Sequence, residues 1–173
     1  MLSLYQRFLP LLQERATILD AGCGSGRDTR YFINRGYQVT AFDASAEVAA
    51  LAEKEAGQPV QVLRLQDIQY QNQFDGIWAC ASLLHISAKE LPLVFRRLAR
   101  ALKPNGTIYL SFKYGQGEYE KQGRRFTDMD EAGLRALVDD IEALAINELW
   151  VTADRRQGRE HEQWLNGILI GCI

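Results

Sequence analysis

The chain has 173 residues, 47% of them hydrophobic and 24% charged, with a net charge of -2. This fits one globular domain over residues 1-173, and the lack of a basic excess argues against nucleic acid as a partner. Cys23, Cys80 and Cys172 lie far apart with no CxxC pair, which points to reduced thiols in a cytoplasmic protein, with no disulfide framework and no metal site. No apolar run approaches the roughly 20 residues of a membrane helix, and the opening MLSLYQRFLPLLQ lacks the basic-then-apolar order of a signal peptide.

In chain order, TILD (17-20) is a short β-branched strand, followed by a helical pattern from Gly26 to Arg35 that stops at Gly36. QVTAFD (38-43) is the next strand. Ser45 caps a helix to about Ala56, closed by Gly57 and Pro59. VQVLRL (60-65) and FDGIWACA (74-81) are the third and fourth strands. Ser87 with Glu90 has the spacing of a capping box, and the helix after it carries Leu91, Phe95, Leu98 and Leu102 on one face. KPNGTIYLSF is a turn and a fifth strand. Thr127 is placed to cap a further helix, with Leu134, Leu137, Val138 and Ile141 on its apolar side. Strands at about 144-153 and 161-172 follow, joined by the polar turn DRRQGRE, with His161 opening the last strand on the surface.

Alternating strands and helices predict an α/β fold, a doubly wound and mostly parallel sheet with helices on both faces. The final strand-turn-strand, with no helix between, predicts an antiparallel hairpin at the sheet edge. Ligands in such sheets bind beyond the carboxyl ends of the strands.

ILDAGCGSGRD (18-28) is where chemistry concentrates. A phosphate loop needs Lys and a hydroxyl residue after its last glycine, and here Gly26 precedes Arg27 and Asp28. A dinucleotide fingerprint is GxGxxG, whereas Gly22, Gly24 and Gly26 give GxGxG, and Asp20 would repel a pyrophosphate. S-adenosylmethionine has no phosphate. Its ammonium suits the nearby Asp20, the glycines admit its methionine part, and the helix starting near Gly26 suits its carboxylate. Arg27 either reaches that carboxylate or lies on the exposed side of the helix.

LDAGCGSGRDT resembles motif I of the class I S-adenosylmethionine-dependent methyltransferases, and the resemblance runs from about Ile18 to Phe112 and more weakly through the terminal hairpin. It implies a Rossmann-like, seven-stranded sheet with a reversed last hairpin. It also implies a cofactor site of Asp20, Gly22, Cys23, Gly24, Gly26 and Arg27, with Asp43 and Ala44 of FDAS at the ribose. In LQDI, Asp67 would sit at the adenine amino group with Ile68 beside the ring. In CASLLHI, the Ala81 carbonyl would face the ligand ammonium. LKPNG (102-106) is similar to the family's turn before strand five. GCGSGRD with RGYQVTAFDAS resembles the small-molecule branch that includes tellurite- and thiopurine-type enzymes. The (N/D/S)PP(Y/F) motif of DNA amino-methyltransferases is absent.

The expected activity is in-line methyl transfer to a small-molecule acceptor, by a monomer or homodimer. His85 and Tyr114 are the candidate catalytic residues. His85 could take a proton from the acceptor, or be a histidine hydrogen-bonded at a helix entry. Residues 113-126 suggest a mobile lid in which Tyr114, Arg124 and Arg125 touch an anionic acceptor; the alternative is a solvated loop. Trp164 either packs on that segment or belongs to the core. The short part before motif I suggests a more open site or a lost part of the lid. A non-catalytic S-adenosylmethionine-binding module and, less favoured, a nicotinamide-dependent oxidoreductase are the other readings.

Overall fold

A computed structural model describes residues 1-159 and 161-172. Seven strands form one sheet: β1 (Thr17–Ala21), β2 (Gln38–Asp43), β3 (Gln61–Val62), β4 (Phe74–Ala79), β5 (Leu102–Lys113), β8 (Leu144–Ala153) and β9 (Gln163–Gly171). Their order across the sheet is β3-β2-β1-β4-β5-β9-β8. β9 runs antiparallel between β5 and β8, and the pairings among the first five strands are parallel. The expected seven-stranded α/β fold with a reversed terminal hairpin is what forms. Strand order reverses between β1 and β4, so their carboxyl ends open a crevice.

The helices are α1 (Leu2–Phe8), α2 (Arg27–Ile33), α3 (Ala46–Ala56), α4 (Leu91–Ala101) and α5 (Glu131–Asp139). Ser45 caps α3 by accepting the Val48 N–H, as its sequence suggests. Leu91, Val94, Phe95 and Leu98 of α4 are buried on one side of the sheet with Leu134 and Val138 of α5. On the other side, Tyr5 and Phe8 of α1 meet Phe32, Trp78 and Tyr109, and Trp78 stacks on Tyr109 with ring centroids 4.0 Å apart. The short leading segment therefore forms a packed helix.

Several boundaries differ from expectation. The third strand shrinks to two residues. Beyond it Leu65–Asp67 make a short 3-10 turn, and the Gln66 and Ile68 carbonyls accept from Arg97 of α4 instead of a neighbouring strand. Ser87 does not cap α4 by accepting a backbone N–H; its hydroxyl donates to the Glu90 carboxylate, and Glu90 takes the cap position. Leu102 leaves the helix and pairs with Phe74 as the first residue of β5, because Pro104 cannot extend a helix. Asp130, not Thr127, caps α5 by accepting the Gly133 N–H at 2.8 Å. Thr127 instead ends a strand and donates to the Ile86 carbonyl. The last strand opens at Gln163, leaving His161 in the turn and exposed. The expected turn DRRQGRE ends at Glu160, which lies outside the described residues.

The segment expected as a loop is a second, two-stranded sheet of β6 (Glu118–Lys121) and β7 (Arg124–Thr127). Gln122 and Gly123 join them with φ of 53° and 72°. Two consecutive left-handed residues make the type I′ turn that matches strand twist.

Tyr5 fastens α1 by donating its hydroxyl to the buried Asp28 carboxylate. Tyr5→Phe should therefore destabilise the fold by about 2 kcal/mol, since the acceptor is charged. Urea denaturation measures this; an unchanged midpoint would show that the remaining donors satisfy Asp28.

Candidate active site

The glycine loop between β1 and α2 is pinned from several directions. The Gly22 and Cys23 N–H groups donate to the Phe42 carbonyl on β2. Asp43 accepts from Gly24 N and Ser45 N, each at 3.0 Å, so one carboxylate ties the loop to the start of α3. A Cβ on Gly22 would stand 2.5 Å from Ser82 Cβ, and one on Gly26 would stand 2.7 Å from the Ala52 carbonyl oxygen. Both positions thus need glycine to let backbone segments meet. Gly24 differs, because a Cβ there would meet nothing within 4 Å.

That open space belongs to a cavity of about 880 Å³ over the carboxyl ends of β1, β2 and β4. Gly22, Cys23, Gly24, Arg27, Asp43, Ala44 and Ala81 line it, so the strand order brings these expected residues together. Gly26 is turned toward α3, and Asp20 lies behind the wall, 2% exposed and accepting from the Thr29 hydroxyl at 2.6 Å. Asp67 and Ile68 also fall outside the wall. Asp67 is exposed and paired with Arg64, and Ile68 is in the core; Leu65 and Gln66 face the cavity in their place.

A residue missed from sequence is Asp28. It is 7% exposed and accepts from Tyr5 Oη, Trp78 Nε1 and Arg27. Its proximity and, above all, burial push the Asp20 carboxyl from its ordinary 3.8 up to about 7. An acid in the first turn after the loop was the available signal, though its buried donors come from distant sequence.

A second cavity of about 370 Å³ lies over the ends of β4, β5, β8 and β9, against α1. Arg27, Cys80 and Ala81 line both cavities, so the two meet at the end of β4. Ala81 takes φ of 51°, unusual for a residue with a side chain, and its N–H donates to Ser111 Oγ at 2.9 Å. Burial raises the Cys80 thiol to about 12. Trp164 belongs to this second wall; its Nε1 donates to Asp154.

His85, Arg124 and Arg125 line the larger cavity, not the smaller one. Arg124 Nη2 donates to His85 Nε2 at 2.9 Å, so Nδ1 carries the proton and donates to the Arg125 carbonyl, also at 2.9 Å. Burial, foremost, lowers the His85 pKa, in keeping with a neutral ring. Glu118 of β6 accepts from Arg125 and from Ala88 N, which adds to the docking of the hairpin. Tyr114 lines neither cavity: its hydroxyl donates to Glu131 at 3.0 Å. Both ring nitrogens of His85 are thus hydrogen-bonded, and the segment expected as a lid forms a hairpin.

The sheet and the glycine loop with its paired cavities define an S-adenosylmethionine-binding methyltransferase architecture. Residues 19–110, more than half of the chain, match the family model described as a methyltransferase domain, and the chain belongs to that family. YqeM of Bacillus subtilis (strain 168) is 30% identical over 132 residues, covering 69% of this chain and 52% of YqeM. A ubiquinone biosynthesis O-methyltransferase of Xanthomonas oryzae pv. oryzae is 30% identical over 103 residues, covering 56% and 42%. The chain thus spans about half, or less, of these curated relatives. The fold is similar to that of a Burkholderia thailandensis 1,6-didemethyltoxoflavin-N1-methyltransferase, solved with 1,6-didemethyltoxoflavin and S-adenosylhomocysteine bound. Its TM-score is 0.82 at 22% identity, covering 99% of this chain and 77% of that one.

The family's cofactor fits the larger cavity on structural grounds. Gly24 leaves its wall open, and the buried Ser82 Oγ has no hydrogen-bond partner among the described residues. A polar ligand atom would satisfy it. Among the described residues no helix is long and apolar enough to cross a membrane, and no His/Cys/Asp/Glu group could hold a metal.

Asp20 has a folded pKa raised above its unfolded value. Its stabilising contribution is therefore full below about pH 4 and lost as pH rises through about 7. Asp20→Asn should flatten the fall in melting temperature between about pH 5 and 8 relative to wild type. Equal slopes in the two proteins would show that Asp20 ionises as an exposed carboxylate does.

Proposed function

We propose that this chain transfers a methyl group from S-adenosylmethionine to a small-molecule acceptor, with the cofactor in the larger cavity and the acceptor in the smaller. The observation that carries this is the meeting of the two cavities at Cys80 and Ala81, at the end of β4. The cofactor supplies a methyl group already activated on a sulfonium.

The protein's part is placement. Asp43, on the ribose side, keeps acceptor capacity beyond its bonds to Gly24 N and Ser45 N. Arg27, held by Asp28, stands at the junction of the cavities and can meet the cofactor carboxylate. The Ala81 backbone, fixed by Ser111, sets the boundary between the two ligands. Tyr109 Oη donates to Asn166 Oδ1 at 2.8 Å in the acceptor cavity, which keeps that wall rigid. Orientation and exclusion of water by such a frame provide much of a displacement's rate. The small acceptor agrees with the size of the second cavity and with the small acceptor bound by the Burkholderia enzyme.

Calorimetry should show S-adenosylhomocysteine binding with no comparable binding of NAD; tighter NAD binding would sink the proposal. In the same titration Asp43→Ala should weaken S-adenosylhomocysteine by about ten- to a hundredfold. Unchanged affinity in a folded variant would put the ribose elsewhere.

The hairpin's contact with the larger cavity shifts the role proposed for its arginines from acceptor to cofactor. Replacing Arg124 and Arg125 by Ala should weaken S-adenosylhomocysteine by about three- to tenfold and leave acceptor KM within about twofold. Loss of acceptor affinity alone would restore the acceptor-lid role.

A further inference from the structure

We propose that the acceptor is a small aromatic carboxylate and that Arg155 is the residue that selects its charge; this rests on the methyl-transfer reading above. The argument begins with Asp154, which is 6% exposed at the end of β8. Its carboxylate accepts from Arg156 N, the Arg156 guanidinium and Trp164 Nε1. These bonds, the Arg156 guanidinium foremost, hold its pKa well below the usual range, so it is ionised and its charge is matched. Asp154 thereby fixes Arg156 and Trp164 into the cavity wall as a rigid corner.

The remaining charges around this cavity are uneven. Arg27, Arg155 and Arg156 line it against one carboxylate, Asp154. Arg27 is paired with Asp28 and Arg156 with Asp154. Arg155 has no hydrogen-bond or ion-pair partner among the described residues, so of the three arginine side chains in the wall its guanidinium is the one left unmatched there. A planar guanidinium fork pairs best with a carboxylate, and such charge-assisted pairs are stronger than neutral ones.

The rest of the wall favours an aromatic body. Trp164 presents ring surface there with its Nε1 already engaged by Asp154, while the fully buried Tyr109 backs the wall with its hydroxyl engaged by Asn166. Met1 and Leu4 of the leading segment add apolar surface. At about 370 Å³ the cavity is of small-ligand size. An apolar pocket with an unpaired guanidinium at its wall recognises an apolar body that carries an anion.

The test uses matched probes: 4-hydroxybenzoate, salicylate and indole-3-acetate, each against its own primary amide. Binding is read by calorimetry and by the Trp164 indole N–H resonance, assigned with Trp164→Phe, with and without S-adenosylhomocysteine. The expected result is that at least one carboxylate binds about tenfold tighter than its amide and shifts the Trp164 signal. Arg155→Ala should bring that ratio to within about twofold, and Arg155→Lys should keep part of it. S-adenosylhomocysteine affinity should be unchanged in both variants. Absence of carboxylate binding, equal binding of acid and amide, or a preference that survives Arg155→Ala overturns the proposal while leaving the methyl-transfer reading intact. Failure of S-adenosylhomocysteine to bind wild type would instead remove the reading on which it rests.

Discussion

The buried Asp28 carboxylate is the constraint on which the arrangement of the site depends. An ionised group taken out of water is costly unless donors surround it. Here the donors come from separate elements: Tyr5 on α1, Trp78 on β4 and the neighbouring Arg27 on α2. Satisfying one charge therefore fixes the leading helix, a central strand and the helix that follows the glycine loop relative to one another. Asp20 is buried close by, and its own burial first, with the Asp28 charge second, raises its pKa.

The same hub links the two cavities. Tyr5 holds α1 in place, and Met1 and Leu4 from that segment form part of the smaller cavity's wall. Asp28 also orients Arg27, which faces both cavities. The walls of both cavities are thus positioned through common residues, so a change at Asp28 reaches both. Trp78 extends the link into the core by stacking on Tyr109, whose hydroxyl reaches Asn166 in the smaller cavity.

What the sequence made legible follows the range of each interaction. The strand-helix alternation, the Ser45 cap and the glycine loop are local signals, and they led to the mostly parallel sheet with its reversed hairpin and to Gly22, Gly24 and Asp43 at one crevice. Gly26 was legible as a necessary glycine, but its reason is the close approach of Ala52. Asp28 was not read because Tyr5 and Trp78 are 23 and 50 residues away from it. Thr127 had the composition of a cap, yet a long-range bond to Ile86 claimed it. Asp67 fits a family pattern, but the 3-10 turn after the shortened β3 directs it to Arg64 and solvent. DRRQGRE carried the polar composition of a turn, and only the fold shows Asp154 as a buried anchor with Trp164 across the hairpin.

The wall of the smaller cavity also limits the chemistry. Cys80 stays a thiol and Tyr109 a phenol at neutral pH, because burial raises both. Asp154 is ionised, but its lone pairs are occupied by Arg156 and Trp164 and its basicity is low. The other charged side chains around this cavity are arginines, which cannot accept a proton. His85, the best base by residue type, faces the other cavity with Nε2 occupied by Arg124. Among the described residues, then, this wall holds no side chain poised to remove a proton. With the acceptor bound here as proposed above, methyl transfer favours an acceptor atom that carries a free lone pair as it binds, or one that releases its proton to water. The protein's contribution then lies in alignment at the end of β4 rather than in general-base catalysis.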